Sequence, residues 1–271
     1  MKALSLKRLG TVMTKEIREN WRTLLMQTGI MLGVLILAAI LIEYQVFQHE
    51  HSRLDRDDAI YGERAVFTAL FFVFGTIAAS LMFSNMKSKE SRISTLMYPA
   101  TQLEKYLSRW IIYVPGFIIV FFIFAFVADF ARYLIFLPFL GDRPIILHPV
   151  SLSDLREMFP SDTEELEILT GVFLVLQSFF VLGSSIWPRN SFIKTSIALF
   201  VLGTLYTLVI TWIFQLLFMD SEVNVRTGAF DGEFYKGKLL FIQWSFVTVV
   251  CVANYVISYF RFKENEIINR W

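Results

Sequence analysis

Charge is what this sequence does without over long distances. Within its 271 residues, the tracts 23–42, 65–86, 110–128, 168–188, 195–219 and 239–260 contain no Asp, Glu, Lys or Arg. Cysteine is almost missing as well. Cys251 is the single one and lies inside the last tract, which excludes a disulfide framework and a cysteine metal site. Histidine occurs only as His49, His51 and His148, all outside the tracts. No H-E-x-x-H is present and no Ser–His pair shares a tract, so intramembrane hydrolysis has no visible machinery. An enzyme with its own active site is not expected, and nothing in the charge pattern points to nucleic acid.

What fills the tracts is apolar bulk. The chain is 55% hydrophobic and 16% aromatic, with a mean hydropathy of +0.55, where a soluble domain averages about 45–50% apolar residues in periodic patterns. A bilayer core takes about 20 helical residues to cross. Backbone groups in lipid must be satisfied within their own segment, so these tracts are expected to be helices. The expected fold is therefore an all-α integral membrane protein, one transmembrane domain with six spans at about 23–44, 65–86, 107–137, 167–188, 193–219 and 239–260. The first apolar run exceeds a signal-peptide core and no small-x-small cleavage pattern follows it, so it is expected to be retained.

The net charge of +1 hides a segregation. With the N-terminus placed on the cytoplasmic side, the inner segments hold 16 of the 25 Lys and Arg residues and the outer loops 8, with Arg132 near the outer end of the third span. Positive loops resist translocation, so both termini are expected inside. Asp129 and Arg132, one turn apart, are expected to neutralise each other.

Residues 1–22 have their own pattern. Leu6, Leu9, Met13, Ile17, Trp21 and Leu24 recur at three- and four-residue spacing, with Lys7, Arg8, Lys15, Arg18 and Arg22 elsewhere on the wheel. That pattern predicts an amphipathic helix in the inner interface, anchored in the lipid bilayer by Ile17 and Trp21. The plainer reading is a charged topogenic leader.

Several motifs weaken on inspection. Gly232 to Lys238 matches G-x4-G-K, but Leu239 follows where a phosphate-binding loop needs a hydroxyl for Mg²⁺. The chain is thus expected to bind no cofactor itself, and any ATP and Mg²⁺ to be held by another subunit. His49 and His51 near Asp55, Asp57 and Asp58 read as a solvated acidic loop rather than a metal site. The outer loop 138–166 is the longest connection, where Ser151 or Ser153 is placed to cap a short helix through Phe159, stopped by Pro160. Gly29 and Gly33 form G-x-x-x-G, which permits close packing within one subunit or between two. Thr204, Thr207, Thr211 and Gln215 share one face of the fifth span; they suit either a translocation path or plain interhelical hydrogen bonding.

One polar stretch interrupts the spans on the basic side. Residues 87–109, KSKESRISTLMYPATQLEKYLSR, carry Lys87, Lys89, Arg92, Lys105 and Arg109 against Glu90 and Glu104. Ile93, Leu96, Met97 and Leu103 offer apolar contacts, and Pro99 breaks any helix begun near Ser94. A short amphipathic piece followed by a break suits the docking of a soluble partner.

The wording from Lys89 to Lys105, with its acidic/basic pair Glu90 and Arg92, then Thr95-Leu96, Pro99 and Lys105, resembles the permease subunits of type-2 ABC transporters. The compact Bacteroidetes-like exporter permeases are especially similar. The match in residues is confined to about 88–110, while the layout is shared over the whole chain. The resemblance implies that 87–106 is a cytoplasmic coupling loop in which Glu90, Arg92, Thr95, Leu96, Met97, Pro99 and Lys105 meet a separate ABC ATPase. It also implies a dimer with a second permease copy or paralogue, in a bacterial inner membrane. The function expected is the membrane-spanning part of an ABC exporter. The alternative is a non-transporting assembly or immunity factor of the same architecture.

The cation split generates a test of sidedness. In a Cys251→Ser background, cysteines replacing Asp57, Asp154 or Glu222 should react with a membrane-impermeant thiol reagent in intact cells. Replacements at Ser88 or Glu264 should react only after the membrane is opened. Labelling at Ser88 from outside would invert the topology.

Overall fold

The computed structural model describes residues 5–49, 56–87, 89–139, 163–218 and 232–267, all helix or short turn, with no strand among the described residues. Eight α-helices follow in order: α1 (Leu6–His49), α2 (Arg56–Leu81), α3 (Lys89–Met97), α4 (Gln102–Tyr113), α5 (Pro115–Phe136), α6 (Thr163–Ile186), α7 (Ser191–Phe218) and α8 (Gly232–Ile267). Six of these paths are long and apolar enough to cross a membrane, with α4 and α5 together making the third.

Two boundaries differ from expectation. The N-terminal segment does not form a helix of its own: α1 is one helix of 44 residues, about 66 Å long. No proline stands near the expected junction at residues 20–25, so nothing breaks the hydrogen-bond ladder there. The third span is broken instead. Pro115 has no N–H to give the Ile111 carbonyl, so α4 ends at Tyr113 and α5 restarts with Pro115 at its first position. Gly232 to Lys238 form the first turns of α8, not a loop. The expected outer loop, the capping serines Ser151 and Ser153, and the acidic group His51, Asp55 and their neighbours lie largely outside the described residues.

Aromatic packing sets the centre. Phe71 on α2 stacks on Phe173 of α6 at 4.3 Å between centroids and meets Phe121 of α5 edge-on at 5.0 Å. This cluster includes Met31, Leu35 and Ala39 of α1. A second cluster, at the end of the bundle nearest α3, joins Ala79, Met82, Phe83, Tyr106, Phe180, Val181 and Phe262.

Close approach depends on glycine at two places. Gly75 leaves room for the Phe173 ring, and Gly183 lies directly against Thr195, where α7 turns back along α6. Asn190, with φ 59°, makes that turn. By contrast a Cβ at Gly29 or Gly33 would meet nothing within 4 Å, so their G-x-x-x-G makes no close helix approach among the described residues.

Gly183→Ala should therefore destabilise the protein by about 1–3 kcal/mol, because the new methyl overlaps Thr195. Gly203→Ala, in open space on α7, should be neutral or slightly stabilising through helix propensity. Thermal unfolding in detergent checks the pair; equal melting temperatures would show that α6 and α7 do not meet at Gly183.

Candidate functional site at the α3 end of the bundle

The polar stretch between the second and third spans folds as a nine-residue helix, a turn, and the capped start of α4. Helix α3 stops at Met97, ahead of Pro99, and the chain turns through Pro99 and Ala100 to Thr101. Thr101 is the N-cap of α4 and forms a capping box: its hydroxyl accepts from the Glu104 N–H, and its own N–H donates to Glu104 Oε2 at 2.9 Å. Thr-x-x-Glu is the signature of that box, and the spacing Thr101–Glu104 was there to be read in the sequence. Its second role was not. The other Glu104 oxygen accepts from the Ser5 N–H at 3.1 Å and pairs with Arg8 at 3.1 Å, so a fully buried carboxylate ties α4 to the start of α1.

One helical turn further on lies the centre of the site. Arg109, with a side chain only 2% exposed, pairs through Nε with Glu16 Oε1 of α1 at 3.0 Å. The same oxygen accepts from Asn85 Nδ2 at 3.1 Å, and Asn20 Nδ2 donates to it at 3.3 Å. Arg109 Nη2 reaches Thr95 Oγ1 of α3 at 3.4 Å, and its guanidinium stands 5.8 Å from the Phe262 ring of α8. Lys15 of α1 sits 4.3 Å over the Tyr98 ring, just past the end of α3. One buried cation thus gathers α1, α3, α8 and the α2–α3 connection. Sequence reading counted Arg109 as a loop cation and passed over Glu16 and Asn85. The signal was an acid within an otherwise basic stretch, one that only the fold could pair.

The expected coupling residues divide by face. Glu90, Ile93, Ser94, Met97 and Pro99 are exposed, Met97 at 81%, while Thr95 is turned toward Arg109. Arg92 and Leu96 belong to α3, with side chains outside the described set. Lys105 is a correction: it is buried in the first turns of α4, so it presents no cation to a partner. Its place beside the capping box puts it on the bundle side of the turn.

The other expected sites also land in particular places. Ile17 and Trp21 are exposed, on the side of α1 away from the buried Leu9, Val12 and Glu16. Thr204, Thr207 and Thr211 are exposed too, and each hydroxyl donates to the carbonyl one turn back, Phe200, Gly203 and Thr207. They line no interior of this subunit, because α7 meets the bundle through its first turns and is exposed throughout from Phe200 to Ile213. Gln215 lies on the same helix, with its side chain outside the described set. At the far end of the bundle Arg132 pairs with Asp129 at 2.6 Å, as expected, and also with Glu43 of α1 at 2.7 Å.

Neither the family models, the curated proteins nor the solved structures contain a match to this chain.

The hub makes a sharp energetic claim. Glu16→Ala leaves Arg109 buried and unpaired, which should cost on the order of 3–5 kcal/mol. The double change Glu16→Leu with Arg109→Met removes both charges and should recover most of that loss. Thermal unfolding of the two variants decides the matter. A single variant as stable as the wild type would mean the pair is solvated.

Proposed function

We propose that this chain is the membrane-spanning permease subunit of an ABC exporter, driven by a separate ATPase subunit. The observation that carries the proposal is α3: a short helix with one face open and the other joined to α4 through Thr95 and Arg109. Ile93 and Met97 sit one turn apart and offer an apolar contact to a partner, with Glu90 and Ser94 beside them. Behind them Thr95, Arg109 and Glu16 link α3 to α1 and α4, and Phe262 adds α8. A displacement of α3 is thereby shared among helices on several sides of the bundle. A rigid connection of this kind is what coupling requires, since a flexible loop would absorb the motion.

On this reading ATP and Mg²⁺ belong to the partner, and both termini of the permease face the cytoplasm of a bacterial cell. Ile17 and Trp21 hold α1 at the inner bilayer surface, where an exposed tryptophan ring suits the headgroup layer. A second permease copy seats against α7, whose Thr204, Thr207 and Thr211 face then borders a path between the copies. The resemblance of Glu90, Arg92, Thr95, Leu96 and Pro99 to the type-2 permease loop supports the same reading.

The test is co-purification. Met97→Asp and Ile93→Asp place a charge in a contact that must be desolvated on docking, so each should abolish co-purification of an ABC ATPase while the subunit still inserts. Leu152→Asp, on the segment assigned to the opposite side of the membrane, should leave it intact. Retention of the ATPase by the α3 variants would reduce α3 to a solvated connection and remove the exporter reading.

A further inference from the structure

A polar belt divides the two apolar clusters. On α2 the fully buried members of the first cluster end at Phe71 and those of the second begin at Ala79; on α6 the corresponding residues are Phe173 and Phe180. The two helices therefore run in the same direction, and residues 72–78 lie level with 174–179. In this interval Phe72, Phe74, Ala78 and Leu174 are only partly buried against the first cluster, and the side chains that are fully buried are polar. Thr76 and Gln177 are buried, as are Ser80 and Ser178 beside them, and on α8 Asn254 donates from Nδ2 to Ser178 Oγ at 2.9 Å. The α4–α5 break falls between the same clusters, since Tyr113 and Val114 belong to one and Phe117 to the other.

Gln177 sets the chemistry. It is 0% exposed, and neither its Oε1 nor its Nε2 has a hydrogen-bond partner among the described residues. It follows Phe173 by one helical turn on the face that packs against α2, which places it level with Ala79 and its neighbours Thr76 and Ser80. Both hydroxyls donate to carbonyls of their own helix, Thr76 to Phe72 and Val73 and Ser80 to Ile77, which leaves their oxygens able to accept. A buried carboxamide with both ends unsatisfied is costly, and native structures pair such groups through protein or bound water.

We propose that Gln177 is the binding group of an internal water site between α2 and α6, at mid-depth in the bundle. The class of ligand follows from the donor set. A carboxamide presents a carbonyl and an N–H pair together, so its partner must both donate and accept. A cation would satisfy the carbonyl alone, and the belt residues named above include no carboxylate to neutralise it. Water meets both demands and can reach on to the Thr76 and Ser80 oxygens. Irregular or polar backbone at this depth is tolerated where it is enclosed by protein or meets water, and the Pro115 break is of that kind. The site stands independently of the exporter reading. It gives this chain hydration within its own helices, apart from the exposed threonine face of α7.

Hydroxyl-radical labelling of the full-length protein in lipid nanodiscs tests it, with radicals generated from bound water by X-ray pulses and read by mass spectrometry. Phe173 and Phe180, one turn either side of Gln177, should oxidise several-fold faster than Phe121, which is also buried, in the apolar cluster. In Gln177→Leu that excess should disappear; Gln177→Met, which keeps the side-chain length, serves if the leucine variant does not purify as a single species. Equal oxidation of the three phenylalanines in the wild type overturns the proposal. So does an excess that survives both substitutions, or a rise in melting temperature for Gln177→Leu without wild-type labelling, the mark of a bare amide.

Discussion

The Glu16–Arg109 pair is the constraint on which the arrangement of this protein turns. Both side chains are removed from water, so neither can lose the other without stranding a charge in a low-dielectric interior. The pair fixes the register of α1 against α4, and the bonds that surround it position α3 and the α2–α3 connection. A hydrophobic contact at the same place would hold the helices together but would allow them to slide. An ion pair with four named neighbours, Thr95, Phe262, Asn85 and Asn20, does not.

The same logic recurs along the length of α1. Arg8 meets Glu104 at one end, Glu16 meets Arg109 near it, and Glu43 meets Arg132 at the far end. The first two pairs have opposite polarity, Arg-to-Glu and then Glu-to-Arg, so a shift of α1 by two turns would oppose like charges. Along this line α1 runs parallel to α4 and α5 across the Pro115 break, with Met31, Leu35 and Ala39 packed between the charged ends. The bilayer explains why the pairs sit near the ends: an ion pair at mid-depth would face a larger desolvation cost than one near an interface.

The bundle leaves one side unfinished. After Leu199, which packs against the second cluster, α7 is exposed through Ile213, and it presents Phe200, Leu205, Tyr206 and Trp212 outward. In water such a face would be a liability. In a membrane, lipid covers it without penalty, and helix association there is driven by packing rather than by apolar burial. The back-bonded threonines fit this setting, because each hydroxyl is satisfied before any partner arrives.

Much of this architecture was legible in the residues alone. Charge-free tracts of span length predict the six crossings, because the bilayer imposes a length and forbids unsatisfied backbone, and both rules act on local sequence. Pro99 likewise announced the end of α3, and the Asp129–Arg132 pair follows from helical spacing. What local rules could not supply was any partner distant in the chain. Arg109 read as a loop cation because nothing near it in sequence is its counter-ion; Glu16 lies 93 positions away. Lys105 read as a docking residue until the capping box turned it inward, and Pro115 read as one more residue of an apolar run. The N-terminal helix looked separate because its composition changes at residue 23, yet a change of solvent along a helix does not bend it. Sequence determined which segments enter the membrane, since that depends on composition over one helix length. Only the tertiary structure decided which charges meet, which face of α3 stays open and which amide is left without a partner, since those depend on helices brought together from opposite ends of the chain.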